Sequence, residues 1–185
     1  MIETRLDEWR RKLRGSTRGS PPRVSTAEIV WSWLGALLGI GAVAATGHWL
    51  LPDADVPLMV GSFGASAVLL YGAPRSPLAQ PRNLIGGHVI SALIGVACWK
   101  LHLPLPGLAE ALAVATAIAA MHATRTLHPP GGATALLAVI GSDGVHALGF
   151  GFALRPVALG ALVLLAVALI INNLPRSRRY PEIWY

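Results

Sequence analysis

The chain has 185 residues, 54% hydrophobic and only 13% charged, with a formal net charge of +6. A soluble domain carries about a quarter charged residues. Here seven of the fifteen basic residues precede residue 27 and three follow residue 174, leaving an interior long enough for several spans of about 20 residues each. A soluble globular domain is excluded, and an all-α polytopic membrane protein is predicted.

Residues 1–26 read as a basic N-terminal tail. "MIETRLDEWRRKLRG" lacks the apolar core that follows the charges of a cleaved signal peptide. Ile2, Leu6, Trp9 and Leu13 recur on one helical face with Arg and Lys opposite, the pattern of an in-plane helix on anionic lipid. A solvated basic tail fits the same charges. No groove-reading motif accompanies them, so nucleic acid is not an expected partner. "GSTRGSPPR" then reads as a linker.

Six apolar segments follow within a transmembrane domain of residues 27–174: about Ala27–Leu51, Pro57–Ala73, Asn83–Leu103, Leu108–Thr124, Gly131–Ile140 and Ala153–Leu174. Their connections, such as "LPDADVP", "GAPRSPLAQPR" and "TLHPPGG", hold the breakers. Six crossings put both termini and thirteen basic residues on one side, leaving Lys100 and Arg155 for the other, so both termini are predicted cytoplasmic. Four full crossings plus two re-entrant segments satisfy the same parity. Residues 175–185 form a basic and aromatic C-terminal tail, able like the N-terminal one to hold membrane lipid.

Two stretches repeat. "GASAVLLYGAP" from Gly64 and "GATALLAVIGSD" from Gly132 share Gly-Ala-(Ser/Thr)-Ala, and each is the middle of a possible three-segment unit, about 27–103 and 107–174. Units of three crossings face opposite ways, which predicts a 3+3 inverted repeat. Each small-residue string would then open a half-helix of about ten residues, roughly 15 Å, near mid-membrane. Two such N-termini, with unpaired N–H donors and positive dipole ends, would form an anion site. The predicted site holds Ser62, Gly64, Ala65 and Ser66 from one unit, and Gly131, Gly132, Ala133 and Thr134 from the other. Close helix packing by small residues is the competing explanation.

His122, Arg125 and His128 stand at i, i+3 and i+6 and would add positive charge beside the fifth segment. Arg125 also reads as a simple cap, and His88 equally as a packed core histidine or a ligand. No histidine spacing fits a zinc site, and the single Cys98 implies neither disulfide nor metal. With no G-x-S-x-G, H-E-x-x-H or P-loop, and no paired carboxylates, neither enzymatic activity nor a cofactor is expected.

"LHPPGGATALLAVIG" and "FGASAVLLYGAPRSPLAQPRNLIGGHVISALIGV" together resemble the HPP family of integral membrane proteins, over roughly Trp31 to Leu174. The resemblance implies His128, Pro129 and Pro130 as the signature, with the two Gly-Ala-(Ser/Thr) stretches as companions. Family descriptions usually count four transmembrane helices, and some members are associated with nitrite transport. The expectation is therefore a channel or secondary transporter for a small monovalent anion, nitrite first, homo-oligomeric and in a bacterial-type inner membrane. The competing expectation is a non-transporting sensor or assembly module.

Overall fold

The computed structural model describes residues 5–14, 22–50 and 56–184. Among the described residues there are helices and turns and no strand. Helix α1 (Arg5–Arg14) leaves Leu6, Trp9 and Leu13 exposed together, as an amphipathic surface helix would. Ile2, the 15–21 linker and most of the "LPDADVP" connection lie outside the described residues.

Helix α2 (Thr26–Leu50) opens on Ser25, whose hydroxyl accepts the Glu28 N–H at 3.2 Å. At 1.5 Å per residue its 25 residues reach roughly 37 Å, enough to cross a bilayer. Helix α3 (Val56–Ala67) continues without a break into a π-helical segment, Val68–Gly72. A 3-10 turn, Pro77–Ala79, then leads into α4 (Pro81–Lys100), which starts on proline, where a missing N–H costs nothing. Helix α5 (Leu108–Ala123) follows, then α6 (Pro130–Ile140), which at 11 residues spans roughly 16 Å. After the six-residue α7 (Asp143–Leu148), a π-helical segment (Ala153–Ala158, containing Pro156) runs into α8 (Leu159–Ile171). Among the described residues three helical stretches are long and apolar enough to cross a membrane: Thr26–Trp49, Pro81–Lys100 and Ala153–Ile171.

The predicted segments agree closely with these helices, except that α7 occupies part of a predicted connection. The half-helix expected to begin near Gly64 does not exist. Gly61 and Gly64 lie inside α3, because glycine weakens a helix without removing a backbone donor, and the nearest proline, Pro57, is in the first turn. Of the two predicted half-helices, the 130–140 segment is the one that forms as a separate short helix, since Pro129 and Pro130 stand at its start.

Helix α4 is the centre of the fold, packed between α5 and α6. Its Gly87, Ser91 and Gly95 form a stripe at i, i+4 and i+8 that admits α6 at backbone range. A Cβ on Gly87 would lie 2.5 Å from His128 Cβ and 2.9 Å from the Thr126 carbonyl. On the other flank, the Tyr71 ring fills the space left by Gly35 and Gly39 of α2, and Phe63 lies against Gly160.

The residues after α8 turn back onto the bundle. Arg178 is 8% exposed and donates to the Glu28 carboxylate at 2.7 Å, the Glu28 carbonyl at 2.9 Å, Ser32 Oγ at 2.9 Å, Asn172 Oδ1 at 3.0 Å and the Tyr71 carbonyl at 3.2 Å. The Tyr180 hydroxyl donates to the Ala79 carbonyl at 2.7 Å. This segment therefore ties α2, the end of the π segment and the 3-10 turn together, and Arg178 is not free to hold lipid.

Candidate functional site

Five polar side chains meet in the buried space between α3, α4 and the start of α6. Ser62 and Ser66 come from α3, one turn apart on its inner face. His88 comes from α4, one residue past Gly87 of the small-residue stripe. Thr134 comes from the second turn of α6, and His128 from the bend before it. All five are at most 5% exposed.

The hydrogen bonds form one chain. Ser62 Oγ lies 2.7 Å from Thr134 Oγ1, and Thr134 Oγ1 lies 2.6 Å from His88 Nδ1. His88 Nε2 lies 2.7 Å from Ser66 Oγ, which lies 2.9 Å from His128 Nε2. His128 Nδ1 is 2.8 Å from the Leu78 carbonyl. At the other end Ser62 Oγ is 3.3 Å from the Pro130 carbonyl. The two imidazoles are 5.0 Å apart between centroids, and Phe63 covers His88 at 4.7 Å.

A carbonyl only accepts, so His128 donates to Leu78, and with neutral rings the directions that fill the five shortest links follow. His128 donates from Nδ1 and accepts at Nε2 from Ser66. Ser66 accepts from His88 Nε2–H, whose Nδ1 accepts from Thr134, which accepts from Ser62. Among the described residues no buried side-chain polar atom is left without a partner.

The first-turn donors of α6 are not free. Gly131 N–H donates to the His128 carbonyl at 2.8 Å and Gly132 N–H to the Pro129 carbonyl at 3.0 Å, while Pro130 has none. The predicted anion site made of bare helix N-termini is thus replaced by a cluster of side chains. Gly131 serves as a spacer, for a Cβ there would lie 2.7 Å from Ser91 Oγ. Ala65 and Ala133 are exposed and point away, and Gly64 and Gly132 are half-buried outside the chain of bonds. His122 and Arg125 are exposed and do not join His128. Their i, i+3, i+6 spacing assumed one continuous helix, but α5 stops first. Thr126 N–H reaches back to the Met121 carbonyl at 2.9 Å and Arg125 N–H to that of His122 at 3.2 Å, with Arg125 left-handed at φ 57°.

The Ser66 and Thr134 hydroxyls occupy the same place in the two Gly-Ala-(Ser/Thr)-Ala strings and take the two ring nitrogens of the one His88. Sequence reasoning missed the Leu78 carbonyl, which no side-chain pattern can reveal. It also missed Asn83, whose Nδ2 donates to the Leu127 carbonyl at 2.8 Å and holds the bend before His128.

A cavity of about 230 Å³ lies next to this bend, lined by Gln80, Arg82, Asn83, Arg125 and Ile183. Two guanidinium groups make it positive, and Arg82 also donates to the Thr124 carbonyl at 2.8 Å. A larger open cleft of about 650 Å³, lined by Glu28, Pro74, Arg75 and Arg178 among others, contains no residue of the buried cluster. Among the described residues no group of three or more His, Cys, Asp or Glu is placed to hold a metal ion.

An all-α bundle with three membrane-length apolar helices and further short apolar ones, closed around a buried polar cluster, defines a polytopic membrane protein. The model of the HPP transmembrane region matches residues 21–181, and the chain belongs to that family. It is 43% identical over 182 residues to a transmembrane protein of Dictyostelium discoideum, covering 96% of this chain and 58% of the relative. A second transmembrane protein of that organism is 44% identical over 169 residues, covering 89% and 59%. The chain thus spans less than two thirds of either relative. No solved structure gives a significant match.

Proposed function

We propose that this protein is a channel or secondary transporter for a small monovalent anion, nitrite first. The observation that carries the reading is the Ser62–Thr134–His88–Ser66–His128 cluster, a buried, donor-rich site without a carboxylate; a cavity lined by Arg82, Arg125 and Asn83 lies beside the bend that Asn83 holds before His128. Hydroxyl and imidazole donors suit a small anion, and guanidinium groups at an entrance raise its local concentration. The distribution of basic residues favours an orientation with this cavity and both termini cytoplasmic, in a bacterial-type inner membrane, the N-terminal basic tail on lipid and the exposed apolar faces of α2 and α8 toward lipid or a second copy. The Ser66–Thr134 correspondence about His88 is what an inverted repeat would give.

A sensor or assembly module is the second reading. It is favoured by the closure of the cluster, whose polar atoms are all satisfied internally. Flux into liposomes holding the purified protein separates the two. Saturable nitrite uptake above empty liposomes, competed by nitrate or formate, supports transport. Folded protein that moves no small anion supports the module.

A further inference from the structure

The buried cluster has a countable capacity for protons. Setting aside a Thr134 Oγ1 approach to the Pro130 carbonyl that is too long for a hydroxyl bond at 3.5 Å, six links run between its two carbonyl ends, at Leu78 and Pro130, through five groups that can each both donate and accept. With both rings neutral, those five groups carry five hydrogens. One link is therefore empty, and filling the five shorter links places the vacancy at Ser62–Pro130, the longest at 3.3 Å.

One added proton fills every link without moving a heavy atom. With the proton on His88, Nδ1–H donates to Thr134, Thr134 to Ser62 and Ser62 to the Pro130 carbonyl, while Ser66 still donates to His128. Moving the proton to His128 needs only two short transfers. His88 Nε2–H passes to Ser66 Oγ as the Ser66 hydrogen passes to His128 Nε2, across gaps of 2.7 and 2.9 Å. A second proton finds no link, because Ser66 would face two N–H donors and its own hydrogen would have no acceptor.

Among the described residues no fixed charge competes for this role. The rings face each other, Phe63 and Ser66 from α3, Thr134 from α6 and the Leu78 carbonyl. Of the charged or titratable residues on elements packed against α4, Arg155 and His122 are exposed and Glu110 lies in the first turn of α5, far along the helix from His122. Arg82 and Arg125 are also exposed, at the cavity. An anion entering so dry a space needs a compensating charge, and among the described residues the groups able to supply one there are the two rings.

We propose that His88 and His128, bridged by Ser66, take up one proton with each anion, so that the protein is an electroneutral one-to-one proton–anion symporter. The proton comes from the side the anion leaves, rests on an imidazole while the anion is bound, and returns to solution with it. This rests on the transport reading above.

The test uses the full chain in liposomes with nitrite as probe, after subtracting the entry of nitrous acid into empty vesicles. Potassium and valinomycin set the membrane potential to zero or to about 100 mV negative inside, roughly fiftyfold in driving force for one uncompensated charge. Protein-dependent initial rates should agree within about twofold at the two potentials, and a trapped pH dye should report acidification in step with nitrite. Ser66→Ala, which removes the bridge between the rings, should flatten the rise in rate on lowering the outer pH by one unit. A rate that falls severalfold with the interior negative, without acidification, overturns the symport and leaves transport standing. Absence of any protein-dependent flux overturns both. The wild-type comparison decides the matter even if Ser66→Ala fails to fold.

Discussion

Arg178→Met removes the guanidinium at the centre of the C-terminal dock and keeps an unbranched stem. Five hydrogen bonds leave with it, but they are not equal. Glu28 is 29% exposed at its side chain and keeps Ser177 Oγ at 2.8 Å, so its carboxylate can turn to water. The Ser32 hydroxyl, 2.7 Å from the Tyr71 carbonyl and 2.8 Å from that of Glu28, has one hydrogen and can stay with Tyr71, while the Glu28 carbonyl keeps its place in the bonding of α2. Asn172 Oδ1 is buried and loses its donor, while its Nδ2 still holds the Leu70 carbonyl at 2.9 Å. Breaking a fully buried ion pair costs about 3–5 kcal/mol, and stranding one buried acceptor about 1–3. Discounted for the partly hydrated carboxylate, the loss should be about 2–4 kcal/mol. Titration of the purified protein with a denaturing detergent, followed by loss of helix signal, measures it. A cycle with Glu28→Gln should show coupling above about 1 kcal/mol. An Arg178→Met protein within about 0.5 kcal/mol of wild type, or additive single variants, would refute the claim that this dock anchors the bundle.

Gly87→Ala should destabilise by about 1–3 kcal/mol, because its methyl meets the His128 Cβ and a backbone carbonyl, neither of which is a flexible chain end; an unchanged unfolding midpoint would mean that the bend before α6 yields. Arg125→Gly relieves a left-handed backbone worth about 1–2 kcal/mol for a residue with a side chain, so thermal stability should hold or rise slightly. Anion uptake at low salt should nevertheless fall, and equal uptake would remove Arg125 from the entrance. Burial, with Tyr71 nearby, holds the Tyr180 phenol above its ordinary value of 10.0. The protonated form is thus favoured by folding: its contribution is complete below pH 10 and is lost as pH rises beyond it. Midpoints measured between about pH 9 and 11 should drop less for Tyr180→Phe than for wild type.

Membrane residence, the extents of the helices and the family were legible in the chain itself, because burial in lipid selects apolar runs of a length set by the bilayer and loops keep the charges. The Gly-Ala-(Ser/Thr)-Ala strings also named two members of the cluster, Ser66 and Thr134. What they hold was not legible. Small residues serve equally as helix starts and as packing surfaces, and only the uninterrupted course of α3 shows that Gly64 does the second. His122 and Arg125 share a helical spacing with His128, but one left-handed residue after α5 sends His128 inward and leaves the others outside. Which ring nitrogen of His128 carries the hydrogen depends on a backbone carbonyl at Leu78, fifty residues away. Local patterns report what a segment prefers. Which donor meets which acceptor is decided by the packing of α3, α4 and α6, and the glycines of α4 permit that packing without advertising its result.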